Sequence, residues 1–412
     1  MDKEFFKTIS LAAFASLLRG FAPLAAECVG LLQAHGRYLG RDVSADENLP
    51  LLPRSCMDGY ALRAADAFGA SETSPAYLEC AAELAVDQVF SGELPPGQCA
   101  GIVTGGSLPA GADAVVMIEH SARLGAGTVE IRRSPAPGEY VMLAGEDAAP
   151  GKVALAAGTR LRPQEIGLLA ALGRDRVEVR ARPRVAIIST GDEVVPVAAP
   201  VRPGQVRDVN AYTLACQVRE AGGQPEARGL VADDREALRA ALEDALAASD
   251  VVLVSGGSSV GARDYTVAVV AGLAGAEILA HGVAMRPGKP VLLARVGAKA
   301  VLGLPGQVTS AQVVMIALGM PFLRHLQGEA GAFERLGPVV TAELARNLPS
   351  ARGREDFIRV RLERRPGRLP LAHPLLGKSG LLSTMVAAAG LARIEAEREG
   401  LAQGALVDVI VV

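Results

Sequence analysis

Three carboxylates in this chain stand beside loops suited to holding negative charge. Glu193 closes Ser189-Thr190-Gly191-Asp192-Glu193, Asp233 follows a short expected strand over 227–231, and Asp264 comes after the run Ser255-Gly256-Gly257-Ser258-Ser259-Val260-Gly261. A Gly/Ser turn between a strand and a helix leaves backbone N–H groups unpaired and aims a helix dipole at them, which favours an anion. Hard oxygen ligands beside bound phosphates are what Mg2+ requires, because it bridges one or two carboxylates to phosphate oxygens. Glu193 and Asp264 are the candidate metal ligands. Each feature also has a plainer reading: a tight turn without a ligand, an N-cap for Asp264, a solvated loop charge for Glu193. The Gly/Ser run matches neither the P-loop, since no Lys follows it, nor the dinucleotide fingerprint.

Met285-Arg286-Pro287-Gly288-Lys289-Pro290 is the cationic counterpart. Its two prolines stiffen a turn and hold Arg286 and Lys289 in fixed directions, so an oxyanion could be gripped at little ordering cost. Cys56-Met57-Asp58-Gly59-Tyr60 and Thr104-Gly105-Gly106 are further polar loops. A turn with a satisfied Asp explains either of them equally well.

The elements that must position these residues alternate. Strands are expected over 184–189, 227–231, 251–254, 278–283 and 300–304, and helices over 210–221, 235–247, from 265, and over 309–326, with Asn210 as an N-cap. This pattern predicts a doubly wound parallel sheet, whose ligands bind beyond the carboxyl ends of the strands. Thr190, Ser255-Gly256 and Leu304-Pro305-Gly306-Gln307 all fall at such ends, so three loops converge on one edge.

The rest of the chain frames this layer. Its 412 residues are 50% hydrophobic, which at about 150 residues per domain suggests two to four domains. Lys+Arg 42 against Asp+Glu 45 leaves a net charge of −3, with no basic block, so nucleic acid is not an expected partner. Five scattered cysteines, without CxxC, form neither a disulfide framework nor a zinc site and suit a reducing cytoplasm. The N-terminus lacks the pattern of a signal peptide, and the longest apolar run, 313–323, is too short to span a bilayer. Residues 48–140 read as a β-rich insertion into an N-terminal domain, largely helical over 1–47 and completed by 141–180. The α/β domain covers 181–328 and a C-terminal β domain covers 329–412.

In this order the motifs resemble the molybdopterin molybdotransferase family. The resemblance is carried by Ser55 to Ala61, Thr104-Gly105, Leu108 to Val116, Gly145-Glu146-Asp147, Ser189 to Glu193, Asp208 with Asn210, the Gly/Ser run with Asp264, Arg286 to Pro290, and Leu304-Pro305-Gly306. It covers nearly the whole chain. It implies an elongated cytoplasmic homodimer of four-domain subunits, in which the α/β domain binds adenylylated molybdopterin and the partner's β-rich domain closes over the cleft. Molybdate, or tungstate, enters the dithiolene and AMP leaves with the help of Mg2+. On matching positions, the resemblance makes Asp58, Glu193, Asp233 and Asp264 catalytic. It assigns Thr104, Thr190, Ser255, Gly256, Gly257, Ser258, Pro305 and Gly306 to substrate binding. Arg286 and Lys289 fall near the oxoanion, with Arg354 and Ser379 reaching it from the C-terminal domain. An adenylyltransferase and acceptor molybdoenzymes are further implied partners. The chain departs from the family at Arg286, where a Lys is usual, at Gly282 and Val308, and at Met142-Leu143-Ala144, which replaces an Arg-rich lead. Arg is a fork donor and Lys a point charge, so such an exchange can alter anion preference. The related adenylyltransferase, which shares the α/β domain, and a non-catalytic pterin carrier are the alternative readings.

Overall fold

The computed structural model describes residues 8–125, 127–256, 265–378 and 380–412. They divide into two compact units: residues up to 40, 158–162 and 177–412 in the first, and 41–157 with 163–176 in the second. Among the described residues, no helix is long and apolar enough to cross a membrane.

The first unit is built on a six-stranded sheet. In chain order its strands are β1 (Arg184–Thr190), β2 (Gln224–Val231), β3 (Val251–Ser255), β4 (Ala276–His281), β5 (Leu292–Val296) and β6 (Lys299–Leu304), and their spatial order is β2-β1-β3-β6-β5-β4. The pairs β1–β2, β1–β3 and β3–β6 are parallel. Unbroken apolar runs in β1, β3 and β6 follow from burial on both faces. Val185, Ile187, Val251, Leu253 and Leu302 enter one core, while Ala186, Ile188, Val252, Val254 and Val301 enter the other. The helices α1 (Asn210–Glu220), α2 (Arg235–Ala248), α3 (Tyr265–Ala271), α4 (Val308–Val314) and α5 (Met320–Leu326) accompany this sheet, with a π-helical turn over Met315–Gly319 between the last two.

Three features differ from the expected pattern. The sheet ends in an antiparallel hairpin, because β5 pairs antiparallel with both β4 and β6. Gly297, at φ +60°, supplies the left-handed turn between β5 and β6. Residues 8–40 are less helical than expected: only Leu11–Arg19 forms a full helix, followed by a strand at Ala26–Gly30 and the single turn Leu31–Ala34. That first helix is capped by Ser10, whose hydroxyl accepts from Ala13 N at 3.1 Å, and it buries Phe14 and Leu18 in the core under the sheet. Asn210 does not cap its helix, as described below.

The C-terminal part of this unit is a small barrel. Glu355–Glu363 pairs with both Leu371–Pro374 and Gly390–Ile394, and Val339–Leu344 and Leu406–Val411 complete the ring. Its interior holds Ala342, Leu344, Val360, Ala372, Ala392, Ile394 and Val409. Phe357, Leu391 and Ile410 point the other way, into the core of the α/β layer.

The second unit is β-rich. Its six-stranded sheet runs Ala114–Met117, Gly59–Leu62, Gln98–Ile102, Ala76–Leu84, Thr128–Ile131 and Ser121–Leu124. Gly59 cannot carry a side chain there, since a Cβ would lie 1.9 Å from Val116 O across the sheet.

Candidate functional site

A cleft of about 1310 Å3 lies at the carboxyl ends of β1, β3 and β6, where the strand-end loops meet. Backbone proximity sets its floor. Gly256 follows β3 at φ +108°, and a Cβ there would come within 2.1 Å of Thr190 O at the end of β1. Only glycine lets two adjacent strand ends close so tightly. Gly306, after β6, lies directly against it, its would-be Cβ 3.6 Å from Gly256 Cα.

Buried hydrogen bonds tie the three loops together. Asn210 Nδ2 donates to Ser255 Oγ at 2.5 Å and to Gly306 O at 2.9 Å, joining the β3 and β6 loops. Since Gly306 O can only accept, the amide nitrogen must face it, and Asn210 Oδ1 points elsewhere. That oxygen and Ser189 Oγ are buried without a protein partner among the described residues. Buried acceptors left unpaired cost about 1–3 kcal/mol each, so both positions call for a ligand or water donor. The capping task falls instead to Asp208, whose Oδ1 accepts from Ala211 N at 3.1 Å. On the other side, Thr190 Oγ1 donates to Asp233 Oδ1 at 2.7 Å, and Asp233 N donates to Asp192 Oδ1 at 3.2 Å. The neighbouring Asp234 caps α2 through Ala237 N at 2.8 Å.

The opposite wall is cationic. Met285–Arg286 forms a short strand that pairs in parallel with the barrel strand Glu355–Glu363, with Arg286 level with Asp356. Asp356 is fully buried; its Oδ2 contacts Arg286 Nη2 at 3.1 Å and accepts from Ser350 Oγ at 3.0 Å, while Oδ1 accepts from Arg354 Nε at 3.1 Å. Arg286, Lys289 and Arg354 all line the cleft. Gly288 gives the turn its shape: at φ +110°, it has room for no Cβ, which would lie 2.4 Å from Val314 Cγ2 on α4. Further along the barrel strand, Arg359 is buried without a carboxylate among its described partners. It donates to Thr384 Oγ1 at 2.6 Å and Gly377 O at 2.9 Å, and burial pulls its pKa below the ordinary guanidinium value. It thereby holds both ends of the segment whose Gly380 and Leu382 line the cleft.

The second unit has a site of its own. Asp58 Oδ1 accepts from Thr104 N at 2.6 Å and from Thr104 Oγ1 at 2.8 Å. These two donors, the backbone N–H first, hold the exposed Asp58 carboxyl below its usual pKa. Ser55 builds the preceding turn, donating to Met57 O at 2.5 Å and accepting from Met57 N at 3.2 Å. Cys80 and Cys99 in this unit are poor nucleophiles, since burial pushes Cys99 up to about 12 and raises Cys80 as well.

Of the residues singled out from the sequence, Thr190, Glu193, Ser255, Gly256, Arg286, Lys289, Pro305, Gly306 and Arg354 line the one cleft. Asp233 reaches it through Thr190. Asp58 and Thr104 pair with each other in the second unit. Gly257, Ser258, Asp264 and Ser379 lie outside the described residues. Among the described residues, no group of three or more His, Cys, Asp or Glu is arranged to hold a metal ion. Sequence reasoning missed Asp356 and Arg359, named Ser189 only as part of a motif, and gave Asn210 the wrong task.

Family models match the chain over three spans. Residues 9–173 match the MoeA N-terminal region (domain I and II), 186–325 a probable molybdopterin binding domain, and 341–412 the MoeA C-terminal region (domain IV). The chain is 40% identical over 311 residues to the molybdopterin molybdenumtransferase of Nostoc sp., covering 75% of this chain and 71% of that protein. It is 34% identical over 371 residues to molybdopterin molybdenumtransferase 2 of Mycobacterium tuberculosis, covering 88% and 90%. Among solved structures, it is similar to a molybdopterin biosynthesis MoeA protein from Pyrococcus horikoshii, with a TM-score of 0.83 and 30% identity over 98% of this chain and 100% of that one.

Proposed function

The chain belongs to the molybdopterin molybdenumtransferase family, and from that premise we propose that it inserts molybdate into the dithiolene of adenylylated molybdopterin and releases AMP. One observation carries the reading: glycine-lined strand ends and a set of cationic side chains, Arg286, Lys289 and Arg354 among them, line a single cleft. The floor loops suit a phosphorylated pterin, because Gly256 and Gly306 let the ligand approach the backbone and Thr190 and Ser255 present hydroxyls. Arg286, Lys289 and Arg354 suit a tetrahedral dianion, which fixed cations stabilise most when they need no reordering. The dithiolene sulfurs belong to the pterin, so the protein needs no thiolate of its own.

Within this reading Asp233 orients the Thr190 hydroxyl, and Asn210 fixes Ser255 against the Pro305-Gly306 loop. Asp264, Gly257, Ser258 and Ser379 are assigned to the same site by sequence alone. Glu193 offers one carboxylate to the cleft, which fits Mg2+ held mainly by substrate phosphates; that ion would offset charge as the phosphoanhydride breaks. The active species is proposed to be a cytoplasmic homodimer, with the partner's β-rich domain closing the cleft and supplying the Asp58–Thr104 pair.

The test is AMP release from adenylylated molybdopterin by purified protein. Release is expected with molybdate and Mg2+ together, and is lost on omitting molybdate or adding EDTA. Protein that binds the pterin yet releases no AMP under the complete conditions lacks the proposed activity. Replacing molybdate with tungstate defines the oxoanion, and incubation with ATP and unloaded molybdopterin is expected to yield no adenylylated product.

A further inference from the structure

We propose that Asp356 is a positioning residue that turns Arg286 and Arg354 into a paired clamp for the tetrahedral oxodianion. The inference rests on the reading above and goes beyond it, since it assigns oxoanion selectivity to a buried acid that does not face the ligand. Asp356 is 0% exposed, whereas the Arg286 and Arg354 side chains are 50% and 35% exposed. The carboxylate thus sits behind the two guanidiniums, which stand between it and the cleft they line. It is ion-paired with Nη2 of Arg286 and accepts a hydrogen bond from Nε of Arg354, and its Oδ2 also accepts from Ser350 Oγ. No other hydrogen bond or ion pair joins either guanidinium among the described residues. Each therefore keeps further N–H donors for a second acceptor.

The backbone makes this arrangement rigid. Arg286 and Asp356 are register partners in adjacent parallel strands, and Glu355 N donates to Ala284 O at 2.9 Å. The clamp draws one Arg from the α/β layer and one from the barrel. One acid against two guanidiniums leaves a net positive pair, and a buried carboxylate so placed fixes the direction of forks that would otherwise sample many rotamers. Arg286 thereby acquires a purpose that lysine could not serve equally, because a single ammonium cannot share itself in plane between two acceptors.

The sign of one substitution separates positioning from simple charge. Asp356→Asn removes a negative charge behind the cations, so a site governed by net potential would bind molybdate more tightly. A clamp that needs orientation binds it more weakly. The expected result for Asp356→Asn is molybdate affinity reduced by about tenfold or more in equilibrium dialysis of the full-length protein, with adenylylated molybdopterin affinity within about twofold of wild type. In turnover, the molybdate KM rises while kcat at saturation changes little. Unchanged or tighter molybdate binding overturns the proposal, as does equal weakening of both ligands. Should Asp356→Asn not fold, Ser350→Ala loosens the same carboxylate without altering charge and is expected to weaken molybdate binding by about two- to fivefold; no change would again overturn it. Dialysis needs no turnover. A wild-type protein that released no AMP, yet lost molybdate affinity on Asp356→Asn, would refute the reaction and leave the clamp standing.

Discussion

The floor of the α/β cleft and the Asp58–Thr104 turn both place polar side chains at strand ends, yet they are built on opposite terms. In the cleft floor Ser189, Thr190, Asn210 and Ser255 are all buried, and each hydrogen bond crosses between different loops. In the β-rich unit the Asp58 carboxylate is exposed and bonded twice to a single residue. The first arrangement makes function and folding share the same bonds. The second leaves function separable, because water can replace whatever a substitution removes.

Substitutions can break or sharpen this contrast. Gly256→Ala should have the largest effect, since it forces a 2.1 Å approach to Thr190 O at a positive φ. A loss of about 3–5 kcal/mol is expected in urea unfolding, with cleft binding lost as well. Asn210→Ala comes next: it strips the donor from Ser255 Oγ and Gly306 O together and should cost about 2–3 kcal/mol along with weaker pterin binding. Asp58→Asn inverts the pattern. Its melting temperature should match wild type, while AMP release falls by at least about tenfold; a marked loss of thermal stability would erase the contrast between the two regions.

The smallest expected effect is on pH. Thr104 donates to the ionised form of Asp58, so the folded pKa lies below the unfolded one. A depressed carboxylate contributes fully above its unfolded pKa, and that contribution disappears as pH falls through the folded pKa. Activity dependent on Asp58 should therefore persist into acid below the ordinary carboxylate range. Thr104→Val removes the hydroxyl donor but keeps the N–H, which is the larger cause, so the acid limb of the pH profile should move upward only slightly.

Much of this arrangement could be read from residue order. The apolar runs of β1, β3 and β6 announce strands buried on both faces, and the Gly and Pro residues after them mark where the loops converge. The antiparallel hairpin has a signal as well, because Gly297 separates two apolar runs, but regular strand–helix alternation points the other way. Asn210 misled for a local reason. An Asn at a helix start reads as a cap, yet Asp208 two residues earlier holds that role and frees the amide for long-range bonds. Asp356 and Arg359 were beyond such reading. Each looks like an ordinary charge in a strand, and its meaning lies in partners that pattern alone does not bring near.

The pairing of Met285–Arg286 with the barrel strand has a further consequence for how the molecule can be divided. The barrel closes its own ring, so it needs no neighbour to satisfy its edges there. The cation-bearing turn of the α/β layer has no such independence, because its backbone is zipped onto that strand. A chain cut off before the barrel would keep its sheet and its glycine floor, but it would release the segment that carries Arg286 and leave half a binding pocket facing solvent. With Phe357, Leu391 and Ile410 of the barrel also set into the α/β core, ribbon and packing together make the two inseparable.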